Sequence, residues 1–191
     1  MNCFLRFVKA AYSPRFLVFT NTANICFIYG AADVFSQYVE NNGNFDNFDW
    51  RRALRVSSVG LVHGPMCHHY YKWLDGAIIK GTEGQIVLKK VFIDLICSPF
   101  FAVTFIAGVT LLEGNSVLNA VDEYRRKFWT IFALDCVVWP PAQTVNFWLI
   151  PPPFRVFFVS SMIFVYTCCL SYIKHQKEER MKHAAVKDTV K

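Results

Sequence analysis

The chain has 191 residues, 54% hydrophobic and 17% aromatic with 19 Phe, and carries a formal net charge of +6. Its mean hydropathy is positive, and so much apolar surface exceeds what one water-soluble core of this size can hide. An ordinary soluble domain is excluded, and an all-α polytopic membrane helix bundle is the expected fold.

Three regions are expected: a basic N-terminal segment at 1–15, a transmembrane bundle at 16–173 and a basic C-terminal tail at 174–191. Before Asp33 there is no acid, while Arg6, Lys9 and Arg15 alternate with Leu5, Phe7, Val8 and Phe16. That pattern suits an uncleaved mitochondrial-type signal, and equally a set of charges that anchors the first helix at the headgroups. Apolar runs follow at roughly 16–39, 53–74, 91–112, 128–150 and 156–173, each near the ~20 residues that cross a bilayer as a helix.

In the first run Gly30, Asp33 and Gln37 fall within roughly 60° of one another on a helical wheel, so they form one stripe that should face protein or water. An acid in a span is a functional-site candidate, with pairing to a structural arginine as the competing account. Asn21 and Asn24 lie off the stripe and read as interhelical hydrogen-bonding residues. The second run contains Gly60-Leu61-Val62-His63-Gly64-Pro65, whose small-x-x-x-small spacing lets another helix approach closely before proline kinks or ends the turn. Cys67, His68 and His69 are metal-ligand types, but adjacent histidines point about 100° apart on a helix, and hydrogen-bonded interior histidines are the simpler expectation.

The fourth run is the most unusual. Asp135, Trp139, Gln143 and Asn146 would share a face about 80° wide on a continuous helix. Pro140 and Pro141 interrupt it, and because the residue before proline avoids the helical region, Trp139 is expected to end one half-helix and Pro140 to begin another. The new N-terminus would bring partial positive charge to membrane depth, and a kink that serves packing alone is the alternative. Pro151 and Arg155 close this stretch. The last run, 156–170, has no polar stripe.

Lys and Arg counts weigh the topology. Five spans divide them seven against eleven, whereas a fourth run that dips in and returns divides them twelve against six. The second split is cleaner under the positive-inside rule, so four spans with both tails on one side are favoured and five remain open. The seven cysteines are odd in number and scattered, with no Cys-x-x-Cys pair, and read as small buried hydrophobes. No nucleophile-base pair, phosphate loop or cofactor fingerprint is present, so neither catalysis nor a cofactor is expected.

Taken together, Trp139-Pro140, Gln143, Asn146-Phe147, Pro151, Arg155 and Leu170-Ser171-Tyr172 resemble the signature of the Mpv-seventeen / peroxisomal membrane protein 22 kDa family. Gly30, Asp33 and Gln37 are similar to its first-helix motif; Gly64-Pro65, His68, Tyr71 and Leu74-Asp75 to its second; Lys89, Asp94 and Pro99 to its third. Thr20-Asn21-Thr22, Leu88-Lys89-Lys90-Val91, Leu112-Glu113-Gly114 and Arg126-Lys127-Phe128-Trp129 resemble the like-protein-2 branch. Tyr70, Cys136 and Tyr166 stand where the family usually has Trp, and Leu95 where it has Gln.

The resemblance implies an integral protein of the mitochondrial inner membrane, or in some members of the peroxisome, without enzymatic chemistry. For the branch it implies support of mitochondrial ribosome assembly and translation. The charge of the tail from Lys174 to Lys191 suits contact with mitochondrial ribosomal subunits through RNA or acidic partners, and suits better a basic flank that orients the last helix against anionic lipid. The lipid bilayer and a second copy of the chain are the other expected partners, and direct DNA binding is not expected. The alternative is a small pore lined by Asp33, Gln37, His68, Asp94, Asp135, Gln143, Asn146 and Arg155, with Asp135–Arg155 pairing as its structural counterpart.

Overall fold

A computed structural model describes residues 2–45 and 48–169. Leu170-Ser171-Tyr172 and the basic tail at 174–191 lie outside them. The elements are α1 (Asn2–Ala11), α2 (Leu17–Glu40), α3 (Trp50–Ala77), α4 (Glu83–Leu112), α5 (Val117–Leu149) and a 3-10 turn (Pro152–Phe154) that runs directly into α6 (155–169). Among the described residues there is no strand.

α2 and α3 form the tightest pair. A Cβ added at Gly60 would lie 2.6 Å from the Cys26 backbone nitrogen, and one at Gly64 would lie 2.4 Å from Thr22 Cα. The small-residue spacing in α3 therefore does what small residues do at membrane-type helix contacts: it lets two backbones touch. Ser57 Oγ donates to the Cys26 carbonyl at 2.8 Å on the same seam. Pro65 lies inside α3 without ending it.

The turn joining the pair uses Asn42 and Gly43 at positive φ, 54° and 83°. Asp49 then caps α3, its carboxylate accepting from the Arg51 and Arg52 backbone N–H groups at 2.8 and 3.0 Å. Those bonds, with Arg52 the larger contributor, hold the Asp49 carboxyl below the usual carboxylate range. At the start of α4, Gln85 Oε1 accepts from the Thr82 backbone N–H at 3.2 Å, and Glu83 complements the helix dipole. Inside α4, Pro99 cannot donate to the Leu95 carbonyl, and the Ser98 hydroxyl does so instead at 3.0 Å.

Successive long helices run in opposite directions. The contacts Gly30–Ser57 and Gly64–Thr22 step antiparallel along α2 and α3. His63–Thr104 and Asp75–Lys90 do so along α3 and α4, and Asp135–Tyr166 and Phe147–Arg155 along α5 and α6. Tyr12, just after α1, ties that segment to one end of the bundle: Asn24 Nδ2 donates to Tyr12 Oη at 3.1 Å and the Tyr12 ring lies tilted 4.4 Å from Phe154.

The expected break in the fourth segment is corrected. α5 is continuous from Val117 to Leu149 with Pro140 and Pro141 inside it, so Trp139 ends no half-helix and no helix N-terminus arises at membrane depth. Two missing donors cost a helix less than a chain break would, because a break frees several more backbone groups in a region without water. Packing holds the axis on both sides: Asp135 lies buried before the prolines, and Ala142, Gln143, Asn146 and Phe147 after them. An unbroken α5 does not dip and return. The alternation of the helices places α1 and the end of α6 at opposite ends of the bundle.

The distribution of residues is turned inside out relative to a soluble bundle. Among the described residues, 12 buried polar or charged side chains accompany 14 buried apolar ones, while Phe19, Phe27, Leu61, Phe92, Phe100 and Trp148 face outward. Glu83–Leu112 and Pro152–Cys169 are each long and apolar enough to cross a membrane. Exposed apolar surface on this scale marks a lipid-facing exterior.

Candidate functional site

The polar residues singled out from the sequence all lie within the bundle, and they divide among separate clusters. At the α2–α3 turn, the Gly30–Asp33–Gln37 stripe faces α3. Asp33 Oδ1 lies 2.9 Å from Arg52 Nε, and Asp33 Oδ2 accepts from Gln37 Nε2 at 2.7 Å. Gln37 also brackets the Asp49 backbone, accepting from its N–H at 2.7 Å and donating to its carbonyl at 3.1 Å. Arg52 continues to Glu40 at 2.7 Å. The structural arginine that an acid in a span requires is therefore Arg52.

Toward the α1 end, the His68 ring Nδ1 lies 3.2 Å from Asn21 Nδ2. His69 points outward with its ring at 88° to that of His68. His63 is 2% exposed and spans three helices: its Nδ1 is 2.8 Å from Tyr29 Oη and its Nε2 3.0 Å from Thr104 Oγ1. Among the described residues no group of three or more His, Cys, Asp or Glu side chains is placed to hold a metal ion.

The central cluster joins α3, α4 and α5. Gln143 Nε2 donates to Tyr71 Oη at 2.7 Å and to Asp94 Oδ2 at 2.8 Å, and Tyr71 Oη donates to Asp94 Oδ1 at 3.4 Å. Asn146 Nδ2 donates to Gln143 Oε1 at 2.8 Å. Asn146 Oδ1, like Asn21 Oδ1, is buried without a donor.

The expected Asp135–Arg155 pair is corrected. Asp135 accepts from Trp139 Nε1 at 3.2 Å and from Tyr166 Oη at 3.5 Å. Arg155 instead meets Asp75 at the end of α3. Fourteen residues of continuous α5 separate Asp135 from Leu149, about 21 Å of rise, so the acid lies far from the α6 start. Asp75 Oδ1 also accepts from Lys90 Nζ at 2.6 Å, and the Phe147 ring lies beneath both cations, 5.7 Å from Lys90 Nζ and 5.4 Å from Arg155 Cζ. Pro151 sits outside this cluster, its carbonyl accepting from the Phe154 N–H that closes the 3-10 turn.

Seven of the eight pore-lining candidates thus have a partner on another segment, and Asn146 meets Gln143 on its own helix. A groove of about 810 Å³ lies elsewhere, between α2, α3 and α6, and is lined by Phe27, Val34, Phe35, Leu54 and Phe164 with none of the eight. Sequence reasoning did not nominate Arg52, Tyr71, Asp75 or Lys90 as site residues. Tyr71 and Asp75 fall in the family-like second-helix motif and Lys90 in the branch-like run Leu88-Lys89-Lys90-Val91, and all three could have been found there.

Residues 110–171 match the model of the Mpv17 / PMP22 family. Over most of its length the chain is similar to PXMP2/4 family protein 4 of Dictyostelium discoideum, at 31% identity over 76% of this chain and 80% of the relative. It is 26% identical to PXMP2/4 family protein 2 of the same organism, over 86% of this chain and 88% of that one. The mitochondrial inner membrane protein Mpv17 of Caenorhabditis elegans is 30% identical over 76% of this chain and 80% of its own length. No solved structure matches.

Proposed function

Because the chain belongs to the Mpv17 / PMP22 family, we propose that it is a non-enzymatic integral protein of the mitochondrial inner membrane that supports mitochondrial ribosome assembly and translation. The nematode relative named as a mitochondrial inner membrane protein supports the location. The branch-like residues Thr20-Asn21-Thr22 and Arg126-Lys127-Phe128-Trp129 support the role. In this reading all five long helices cross the membrane.

The observation that carries the proposal is the pairing of interior polar groups with one another, which makes the bundle an anchor and leaves its ends for partners. α5 has 33 residues, about 50 Å of helix against a hydrocarbon core of about 30 Å. Its first turns, with Asp122, Arg125, Arg126 and Trp129 exposed, therefore extend past the bilayer. Cells that lack the protein are expected to show a several-fold drop in labelling of mitochondrially encoded products, and the tagged protein should co-sediment with ribosomal particles. Normal labelling without co-sedimentation would overturn the reading.

A pore remains the second reading, favoured by one observation: Asn21 Oδ1 and Asn146 Oδ1 are buried without donors, and such amide oxygens suit water or a passing cation. Planar-bilayer conductance above that of empty membrane, altered in Asn146→Leu, supports it; conductance equal to empty membrane rejects it.

A further inference from the structure

At the junction of α3, α4, α5 and α6, two cations share a single carboxylate oxygen. Lys90 Nζ and Arg155 Nη1 both meet Asp75 Oδ1, and the side chains of Lys90 and Arg155 are each only 9% exposed. Arg155 spends further donors on the Ile150 carbonyl at 3.2 Å and the Phe147 carbonyl at 3.4 Å. Lys90 has three ammonium protons and Asp75 as its hydrogen-bond acceptor. The cluster carries one positive charge in excess, and a buried excess charge is unfavourable unless something of opposite sign completes it. The Phe147 face offsets part of this through its quadrupole, but one ring serves both cations.

The surroundings add to the imbalance. Lys72, Lys80 and Lys89 are exposed around the same end, with Glu83 as the exposed acid among them, and Lys89 Nζ donates to the Lys80 carbonyl at 3.1 Å. Asp75, 24% exposed, marks where the cluster opens. All of this lies near the ends of α3 and α5 and the starts of α4 and α6.

We propose that Lys90 and Arg155 form a binding site for a phosphoryl anion, presented by the headgroup of an anionic phospholipid or by free phosphate. A guanidinium and an ammonium side by side match phosphate oxygens in geometry and charge. Asp75 holds the two cations in place and weakens the anion's grip, so the site is reversible. The proposal is independent of the ribosomal role.

The test uses the full chain in detergent and in lipid nanodiscs, read by thermal midpoint. Inorganic phosphate replacing chloride at constant ionic strength is one arm; anionic against zwitterionic phospholipid is the other. A rise of about 5 °C in either arm is expected where the anion stands about a hundredfold above its dissociation constant. A phosphate response identifies the soluble source, and a response to anionic lipid alone identifies the headgroup. Lys90→Met leaves a neutral Asp75–Arg155 pair and should lose the rise, whereas Lys90→Arg and the neighbouring Lys89→Met should keep it. Asp75→Asn should melt lower in chloride and recover more on anion addition than the unaltered chain, which a purely structural ion pair would not do. No rise in either arm, an equal rise in Lys90→Met, or no anion recovery in Asp75→Asn overturns the proposal.

Discussion

Gly64→Ala is expected to destabilise the protein by about 2–3 kcal/mol, the upper part of the range of about 1–3 kcal/mol for overpacking in a close-packed interior. The added methyl would lie 2.4 Å from Thr22 Cα and 2.6 Å from Thr22 Oγ1. A backbone atom cannot swing aside as a flexible side chain can, so α2 must move as a unit. Gly60→Ala meets the Cys26 backbone in the same way, and the double variant should fail to accumulate as folded protein. Gly76 near the end of the same helix has nothing within 4 Å of an added Cβ. Gly76→Ala should therefore stabilise by about 0.5–1 kcal/mol through backbone entropy alone. Thermal midpoints in detergent measure all of these; a Gly64→Ala midpoint no lower than that of Gly76→Ala would show that the α2–α3 seam is not the close contact described.

Gln143→Leu is the second large effect. Gln143 is 2% exposed and is the donor that reaches both Asp94 and Tyr71 while accepting from Asn146. Leucine would leave the Asp94 carboxylate with Tyr71 alone and strand the Asn146 amide. Removing one partner of a buried hydrogen bond costs the desolvation of the other, and with a charged partner the loss should be about 3 kcal/mol. Removing both partners is much cheaper, so Gln143→Leu with Asp94→Leu should cost less than the sum of the single changes by about 1.5 kcal/mol or more. A double-mutant cycle on thermal or denaturant stability gives that coupling. Strict additivity would mean that the two side chains do not depend on each other.

These two sites differ in how far they could be read in advance. The Gly60–Gly64 spacing is a local pattern, and helix geometry turns it directly into a flat contact surface. The Gly30–Asp33–Gln37 stripe is equally local, since a 3.6-residue period puts the three on one face whatever they meet. Partners are not local. Asp33 meets Arg52 across a turn, Asp94 meets Gln143 across 49 residues and Asp75 meets Arg155 across 80, and several acids and bases in the chain could have satisfied each other on paper. The Asp135–Arg155 expectation failed for that reason: both lie in one stretch of sequence, but an unbroken α5 holds Asp135 mid-helix, about 21 Å from the end at which Arg155 lies.

The proline pair shows a local rule losing to its surroundings. Steric rules for Trp139-Pro140-Pro141 favour a break, and in water the freed carbonyls would be solvated. In hydrocarbon a break exposes more polar backbone than a continuous helix does, and the buried residues on either side keep the axis together.

Hydropathy, length and charge in the sequence alone determined that this is an all-helical protein whose surroundings are lipid, and where its long helices lie, because the cost of placing polar groups in hydrocarbon depends on each segment by itself. Which polar group answers which, whether α5 runs unbroken, and that two buried cations converge on Asp75 were decided only by the tertiary structure, because those outcomes depend on distances between segments that no local preference sets.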